Sequence, residues 1–329
     1  MAKADRRRPS GGEFTLIAAL ARELVNAPAS KLVVHGIGDD AAVLRIGKER
    51  LAVSVDDQVE GVHFDRRWLT SEDIGYRSLQ AAASDLAAMG AAPVAAVASL
   101  RVPRGFPTSE LGRLARGQAQ AARKLGCPVV GGNVARGHEL SVTTTVLGRV
   151  AKPLLRAGAR VGDELWIIGE LGLARAGLLL HQGRLKVPAR LGRTAAVARA
   201  AWARPDAQIV AGQQLVGRAR AVIDVSDGLA GDVQHLAAAS RVRAVIEAAR
   251  LTALISPELA DLADLLGEPG AALALTGGED YALLCAGPSA RRPARAKVIG
   301  RIERGSGSEL ELEGGQRFAL GPGFDHLRR

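Results

Sequence analysis

The chain has 329 residues, of which 47% are hydrophobic and 24% charged, so it is long enough for two globular domains and is not wholly disordered. Its 44 Lys and Arg residues outnumber 34 Asp and Glu residues, and the net charge of +10 suits either nucleic acid or anionic small molecules. Only 3% of the residues are aromatic, which leaves few rings to stack on single-stranded bases and disfavours nucleic acid.

Three features of the sequence indicate where the protein is located: the absence of a signal-peptide pattern, the length of its apolar runs and the positions of its cysteines. The basic segment at residues 1–10 is not followed by the apolar core of a signal peptide, and the longest apolar run, at 86–100, is too short for a bilayer. Cys127 and Cys285 lie far apart in apolar surroundings, which predicts two buried thiols rather than a disulfide or a thiolate metal site. We therefore expect a cytoplasmic protein with no membrane partner.

The predicted elements of the first half follow a basic tail at residues 1–12, which we expect to be disordered. Helical periodicity and helix-ending residues predict helices over 13–25, 71–89 and 108–125. Apolar and alternating runs predict strands over 41–46, 51–55, 94–102, 128–130 and 141–150. The strand at 128–130 is expected to be short and buried, and to end at the glycines that follow it.

The second half begins after a connection rich in Pro and Gly, so we place a domain boundary between residues 150 and 151. The expected units are an N-terminal domain over 13–150 and a C-terminal domain over 151–329. In the second, we predict a strand over 164–168, a helix over 174–181, a strand over 220–225, a helix after Gly228, and further elements over 271–276 and 281–286. The fold class is therefore mixed α/β (α+β).

Acidic residues gather in short clusters next to glycine or serine, and these clusters contain no Lys or Arg. The clusters are Asp39-Asp40, Asp56-Asp57, Ser84-Asp85, Asp224-Val225-Ser226-Asp227 and Glu279-Asp280. Adjacent carboxylates repel each other, and hard divalent cations such as Mg²⁺ or Mn²⁺ are the counter-charge that oxygen-rich sites favour. The clusters therefore indicate a metal-dependent chemistry of phosphates, unless they all face water.

Asp85 is the most informative single acid, because it lies in the last turn of the predicted helix that ends before Gly90. The helix dipole disfavours a carboxylate there by about 0.3–1 kcal/mol, so an interaction should compensate. A solvated helix face is an equally good interpretation of Asp85 alone. The apolar neighbours Leu86 and Met89 indicate a packed helix end and favour a ligand.

The other acids also have simple structural interpretations. Asp39-Asp40 after glycine is typical of a turn, and Ser226 or Asp227 could be the N-cap of the following helix. Neither cap explains Asp224, which ends an apolar strand where α/β proteins often bind ligands. The segment 276–280 could be a tight reversal between strands, which needs the glycines but not both acids.

Two further observations limit the type of site. His63 could be a base, a phosphate donor or a half-buried imidazole, and the last is the commonest case. The chain contains neither a Walker lysine loop nor the catalytic-loop and metal-loop motifs of protein kinases. The familiar nucleoside-triphosphate sites are therefore excluded, and an acid-rich site is left.

Taken in order, the motifs closely resemble those of the thiamine-monophosphate kinase family. The matching segments are Gly12 to Ile17, Gly36 to Ala41, Glu60 to Phe64, Ser84 to Ala91, Gly131 to Asn133, Asp224 to Leu229, Gly277 to Tyr281 and Gly323 to His326. The resemblance implies the two-domain fold shared with aminoimidazole-ribonucleotide synthetase, with N-terminal domains paired in a homodimer and a C-terminal α/β domain completing the cleft. It also implies ATP and several Mg²⁺ ions as the requirements of the reaction.

The resemblance assigns roles to individual residues. The implied metal ligands are Asp40, Ser54, Asp56, Asp85, Asp224 and Asp227, with Val55 and Asn133 as further ligands. The implied ATP contacts are Arg116, Gly132, Asn133, Arg156 and Ser226. The implied contacts to thiamine monophosphate are His63, Glu279 and Phe324, whose ring would pack near the cationic heterocycle.

Three positions depart from the family pattern. Val55 replaces a usual Thr, so a metal contact there would use the backbone carbonyl. Asn133 replaces a frequent Asp, which removes a charge but keeps an oxygen ligand. Arg116 replaces an aromatic residue near adenine, and a guanidinium can also stack.

The implied reaction is the in-line attack of a substrate phosphate oxygen on the γ-phosphorus of ATP. A phosphomonoester is already ionised near neutral pH, because its second pKa is about 6, so no catalytic base or covalent intermediate is required. Two alternatives stay open: another ATP-using enzyme of the same superfamily, of the hydrogenase-maturation or purine-pathway type, and a basic nucleic-acid-binding protein. The arginines at 6–8 and 291–304 support the second, although a solvated surface also explains them.

Overall fold

The computed structural model describes residues 13–24, 30–183, 185–321 and 323. The helices are α1 (Glu13–Leu24), α2 (Ser71–Ala88), α3 (Thr108–Leu125), α4 (Leu173–Gln182), α5 (Gly192–Ala203), α6 (Ile209–Leu215), α7 (Leu229–Ser240), α8 (Ala248–Thr252), α9 (Pro257–Leu266) and α10 (Gly270–Thr276). None of the helices in this described part has the length and apolar character that a membrane crossing requires.

The strands divide between two sheets. The first contains β1 (Val33–His35), β2 (Ala42–Ile46), β3 (Glu49–Val59), β4 (Ala92–Val102), β5 (Val129–Arg136) and β6 (Ser141–Arg149). The second contains β7 (Glu164–Ile168), β8 (Ala221–Val225), β9 (Arg243–Glu247), β10 (Ala282–Gly287), β11 (Lys297–Glu303), β12 (Gly307–Glu311) and β13 (Arg317–Ala319). The predicted boundary after residue 150 falls in the connection between β6 and β7.

The first sheet has the strand order β1-β2-β3-β6-β4-β5, with only the β4–β5 pair parallel among its described strands. Its helical face packs on α2, since Ala52, Ala96 and Val146 share a core with Leu79 and Leu86. On β3 and β4, Val55 and Val97 point to the opposite face and are exposed by 61% and 37%. The two faces of the sheet therefore differ: one is buried by helices and the other carries uncovered valines.

The second sheet has the strand order β13-β12-β9-β11-β7-β10-β8, with β9 and β12 parallel and its other pairs antiparallel. A core of aliphatic side chains, including Ile223, Val225 and Leu284, joins it to α7 through Leu229 and Val233. The fully buried strand β8 brings its carboxyl end, with Asp224, to the boundary between the two halves.

Helix α2 lies between the two halves and is buried along most of its length. Its N-terminus has a capping box, in which the Thr70 hydroxyl accepts from the Asp73 amide and the Asp73 carboxylate accepts from the Thr70 amide. Its C-terminal turn packs Leu86 and Met89 into a core with Trp166 and Val222 of the second half. The packed helix end that Leu86 and Met89 predicted is therefore confirmed.

Most predicted elements are confirmed within two or three residues at each end, but one expectation and two of the alternative interpretations are wrong. Strand β5 is not short or buried: it continues through both glycines to Arg136 and lies exposed at the sheet edge. Residues 270–276 form α10, so the segment that follows is no reversal between strands. The N-cap of α7 is Gly228 rather than Ser226 or Asp227.

Contact between α2 and α6 depends on Gly212, where a Cβ atom would lie 1.9 Å from the Ala87 carbonyl oxygen. We predict that Gly212→Ala forces the helices apart and costs about 1–3 kcal/mol, a fall in melting temperature of at least about 3 °C. Gly192→Ala is the matched control, because no heavy atom lies within 4 Å of its added Cβ atom. Differential scanning fluorimetry measures both, and equal melting temperatures would contradict this account of the packing.

Candidate active site

The centre of the site is a group of three carboxylates from distant parts of the sequence. Asp40 precedes β2, Asp85 lies in the last turn of α2, and Asp224 lies in β8. One carboxylate oxygen from each lies within 4.8 Å of those from the other two, and Asp40 and Asp224 are buried. The two halves of the chain therefore build this acidic cluster together.

Two serine hydroxyls hold the acidic cluster in place. The Ser54 hydroxyl donates to Asp85 Oδ2, and the Ser84 hydroxyl donates to Asp224 Oδ2 over 2.6 Å. Ser54 lies on β3, whereas Ser84 and Asp85 are consecutive on α2. These donors are neutral, so they orient the carboxylates without cancelling their charge.

The charge of the acidic cluster is costly in the absence of a cation. Burial raises the pKa of Asp85 well above its usual value, and the neighbouring Asp224 and Asp40 raise it further. Burial also raises the pKa of Asp224, and it raises the pKa of Asp40 to about 7 despite the nearby Arg156 guanidinium. Burial raises the pKa of Asp56, at the edge of the same cleft, to about 6.

Arg156, which lies outside the acidic motifs in the sequence, supplies a positive partner for them. Its Nε and Nη2 atoms donate to Asp40 Oδ1 over 2.9 and 2.5 Å. Its backbone amide lies 3.2 Å from both carboxylate oxygens of Asp39. Asp39 therefore fixes the chain at Arg156 while Asp40 joins the acidic cluster, which explains why the sequence needs both residues.

One guanidinium does not balance three carboxylates, and the residues present fit a divalent cation. Asp40 Oδ2 is shielded from solvent and has no hydrogen-bond partner among the described residues. Oxygen atoms of carboxylates are the ligands that Mg²⁺ and Mn²⁺ prefer. The shielded oxygen and the close approach of the three acids are the features expected of a cation site.

The acidic cluster adjoins a cleft with a volume of about 660 Å³, which Asp85 and Asp224 line. Asp56 and Asp227 add two further carboxylates to the lining. The lining also includes the ring side chains His63, Phe64, Trp68 and Trp202. The cleft can therefore hold a ligand with a strongly charged end and a ring system.

Glu279 and Asp280 are adjacent in the sequence but have separate roles. Glu279 lines the cleft with a left-handed backbone (φ 66°), while its carboxylate accepts hydrogen bonds from Arg77 and from Trp202 Nε1. Asp280 accepts from the backbone amides of Gly172 and Ala174 at the start of α4, over 2.7 and 3.1 Å. The second acid thus satisfies a helix N-terminus, a structural role that sequence reasoning missed.

The structure brings most of the predicted site residues to the cleft. Ser226, Asp227, His63, Val55 and Glu279 line it. The His63 Nδ1 atom accepts from the Val59 amide over 3.1 Å, so the neutral imidazole carries its proton on Nε2. Phe324 lies outside the described residues, so its predicted contact stays a prediction.

Three residues predicted to contact ATP or metal lie away from this cleft. Arg116 is exposed on α3, with its Nη1 atom near Gly112. Gly132 lies on β5, where a Cβ atom would be 1.7 Å from the Ala98 carbonyl oxygen, so strand packing alone requires the glycine. The predicted roles of Arg116 and Gly132 stay predictions.

Asn133 lies on the uncovered face of the first sheet. It is in register with Ser99, Thr143 and Asp57 across four strands, which puts it about 14 Å from Asp57 at the usual strand spacing. Asp57 and Asp56 point to opposite faces of β3 because successive side chains alternate. Asn133 therefore does not share a metal ion with Asp56 within one chain.

Comparison with known proteins identifies the class to which this fold and acidic cleft belong. The family model described as AIR synthase related protein, N-terminal domain matches residues 38–150. The corresponding C-terminal domain model matches residues 160–313. The predicted fold class, two mixed α/β domains of this type, is confirmed.

Individual relatives narrow the class. Thiamine-monophosphate kinase from Mycobacterium tuberculosis is 36% identical over 88% of this chain and 85% of its own length. The Aquifex aeolicus enzyme of the same name is 34% identical over 93% of this chain and 98% of its own. The solved structure of AaThiL complexed with AMPPCP and TMP has a TM-score of 0.85 and 31% identity, covering 98% of this chain and 100% of that one. The chain therefore belongs to the thiamine-monophosphate kinase family.

The first test of the site is Asp85→Asn. We predict that it weakens Mn²⁺ binding, followed by electron paramagnetic resonance, more than about tenfold because a charged ligand is lost. Without metal, it should raise the melting temperature at pH 8 more than at pH 5. A carboxyl with a raised folded pKa binds more protons when folded, so its ionisation lowers stability as the pH rises above the usual Asp range.

Asp57→Asn is the control for this experiment. Asp57 belongs to the neighbouring acidic motif but accepts a hydrogen bond from Thr143 on the other face of the sheet. It should bind Mn²⁺ as the wild type does. Unchanged Mn²⁺ affinity in Asp85→Asn would leave Asp85 with a purely structural role.

Proposed function

We propose that this chain transfers the γ-phosphoryl group of ATP to thiamine monophosphate, giving thiamine diphosphate and ADP. The observation that carries the proposal is that one cleft is lined both by carboxylates of the acidic cluster and by aromatic side chains. The named activity of the relatives, and the ATP analogue and TMP bound in AaThiL, support it. The acid motifs by themselves do not separate this reaction from others of the superfamily.

The shape and charge of the cleft fit thiamine monophosphate. This substrate has a cationic heterocycle at one end and a phosphate at the other. Aromatic faces attract cations, and the Glu279 carboxylate, which lines the cleft next to the Trp202 indole, can face the positive ring. The phosphate would then extend toward Asp85 and Asp224, which would repel it unless cations lie between.

The residues proposed to hold Mg²⁺ are Asp40, Asp56, Asp85, Asp224 and Asp227, with the Ser54 hydroxyl and the Val55 carbonyl nearby. Bound there, Mg²⁺ would neutralise the phosphates of both substrates, which otherwise repel each other and the carboxylates. The contribution of the protein is to orient these oxygens. The buried position of Asp40 and Asp224 also limits competition from water.

The chain itself is proposed to catalyse by positioning. The substrate phosphate is ionised near neutral pH, so no residue needs to remove a proton from it. Ser226, at the carboxyl end of β8, and Arg156 are proposed to contact ATP. In this role the Arg156 guanidinium would turn from Asp40 to a nucleotide phosphate, which needs a cation at Asp40 to take its place. Cytoplasmic location stays a prediction.

The direct test is incubation of the purified protein with ATP, Mg²⁺ and thiamine monophosphate, followed by chromatography. We predict that thiamine diphosphate and ADP form in equal amounts, and that neither forms when EDTA is present to chelate the Mg²⁺. Asp85→Asn, which removes a proposed metal ligand, should lower the rate by at least about 100-fold. The proposal would be wrong if no diphosphate formed with either Mg²⁺ or Mn²⁺ and the chain instead turned over a purine-pathway or hydrogenase-maturation substrate. The chain would then be assigned the activity of that other ATP-using enzyme.

We also propose that the chain forms a homodimer through the uncovered face of the first sheet. Val55 and Val97 are exposed on either side of Thr145 on this face, and exposed apolar side chains grouped on one sheet face are typical of an interaction surface. Asn133 lies on the same face. A second copy packed there would give Asn133 the proximity to an active site that it lacks within one chain.

Val97→Asp tests the dimer. We predict that it converts a dimer to a monomer in light scattering coupled to size-exclusion chromatography, because it buries a charge against the partner. Val161→Asp is the control, since Val161 is exposed to a larger extent, 60%, but lies in the connection between the sheets. A wild-type monomer, or a dimer that survives Val97→Asp, would contradict the proposed interface.

A further inference from the structure

A second buried charge lies outside the acidic cluster. Arg77, on α2, is 0% exposed, and arginines are almost never fully buried unless their charge is paired. No motif in the sequence drew attention to it, because it lies two helical turns before Asp85 in a stretch of small and apolar residues.

All the contacts of the Arg77 side chain go to residues at or near the cleft. Its Nε atom donates to Gln58 Oε1 over 2.9 Å, and its Nη1 atom donates to the Trp202 carbonyl oxygen over 2.5 Å. Its Nη2 atom donates to Glu279 Oε1, and the guanidinium lies 5.4 Å from the centre of the Trp202 ring. The guanidinium therefore joins three separate segments of the chain.

Two of these partners form further hydrogen bonds to carboxylates that line the cleft. Gln58 donates from Nε2 to Asp56 Oδ2 over 3.1 Å, and Trp202 donates from Nε1 to Glu279 Oε2 over 2.8 Å. Both carboxylate oxygens of Glu279 are thus fixed, one by Arg77 directly and one by the indole that Arg77 holds. The same guanidinium orients Asp56 through a single amide.

The connection also crosses between the two halves of the chain. Gln58 and Arg77 belong to the first half, whereas Trp202 and Glu279 belong to the second. Glu279 keeps a left-handed backbone that non-glycine residues rarely adopt, so its position is imposed by its surroundings. A short bond from the Glu279 amide to the Ser226 carbonyl, 2.8 Å, fixes the backbone but not the carboxylate.

We propose that Arg77 is a positioning residue that orients Glu279 toward the substrate and Asp56 toward the acidic cluster. It acts through these two carboxylates and does not touch the substrate. The inference deepens the proposed function, because it assigns what sets the geometry of the pocket for the cationic substrate. Arg77 acts through two arms that can be tested separately. The Glu279 arm, its hydrogen bond to Glu279, should govern the KM for thiamine monophosphate. The Gln58 arm, which reaches Asp56 through Gln58, should govern the Mg²⁺ concentration that the reaction requires.

Steady-state kinetics of four variants test the two arms. Arg77→Met, which leaves Glu279 Oε1 without its donor, should raise the KM for thiamine monophosphate at least about tenfold and change kcat much less. Arg77→Lys keeps a charge that can reach Glu279 and should restore most of this loss. Trp202→Phe, which removes only the indole donor, should raise the same KM and leave the Mg²⁺ half-saturation unchanged, whereas Gln58→Met should do the reverse.

Arg204→Met is the matched control. Arg204 also bridges the two halves, pairing with Asp73 and lying 4.7 Å from the Tyr76 ring, but it contacts none of the cleft residues named here. It should lower the melting temperature without changing the KM for thiamine monophosphate. If Arg77→Met and Trp202→Phe, like Arg204→Met, leave the KM for thiamine monophosphate unchanged, Arg77 is structural and the inference is wrong.

A double-mutant cycle separates this inference from the proposed function. With Glu279→Gln in place, Arg77→Met should add little to the change in KM, because its effect passes through Glu279; full multiplication of the two effects would overturn the inference. If the wild-type chain does not convert thiamine monophosphate, only the proposed function is wrong. The interaction between Arg77 and Glu279 is then tested by the melting temperatures of the same single and double variants. Coupled effects would support the interaction, and additive effects would overturn it.

Discussion

Repulsion among buried carboxylates is the constraint on which the rest of this structure depends. Asp40, Asp85 and Asp224 lie within 4.8 Å of one another, and burial and mutual proximity raise the pKa values of the cluster. A fold optimised only for stability would separate these groups or neutralise them. The protein instead surrounds them with neutral hydroxyls and one guanidinium, which leaves negative charge for a cation to balance.

The position of α2 explains how this charge can be held. Both halves of the chain pack on the helix, and this packing fixes the backbone around Ser84 and Asp85 next to β8. The glycine at 212 lets α6 come close to the last turn of α2, and strand β3 supplies Ser54 from the other side. Packing free energy spread over the whole helix therefore offsets an unfavourable arrangement at one end of it.

Arg156 and the buried Arg77 hold different acids of the site. Arg156 pairs with the acidic cluster directly, through Asp40, and its backbone is fixed by Asp39. Arg77 pairs with Glu279 and reaches Asp56 through Gln58. Glu279 is held by neighbours from both halves, and Asp40 of the first half pairs with Arg156 of the second, so the geometry of the cleft depends on how the two domains meet.

The sequence alone determined the elements whose signals are local. The helices α2 and α3 and the strands β6 and β7 were predicted closely because their apolar periodicity and end signals are contained within each segment. The order of the acid motifs was sufficient to indicate the family, and Asp40, Asp85 and Asp224 were identified as candidate ligands before their proximity was known. Only the tertiary structure decided which acids meet, because neighbours such as Asp39 and Asp40, or Glu279 and Asp280, diverge toward different partners. It also decided that β5 is an exposed edge, that residues 270–276 are helical, and that Arg77 and Arg156 supply the missing positive charges. These features depend on contacts between residues far apart in the chain, and local sequence patterns do not record such contacts.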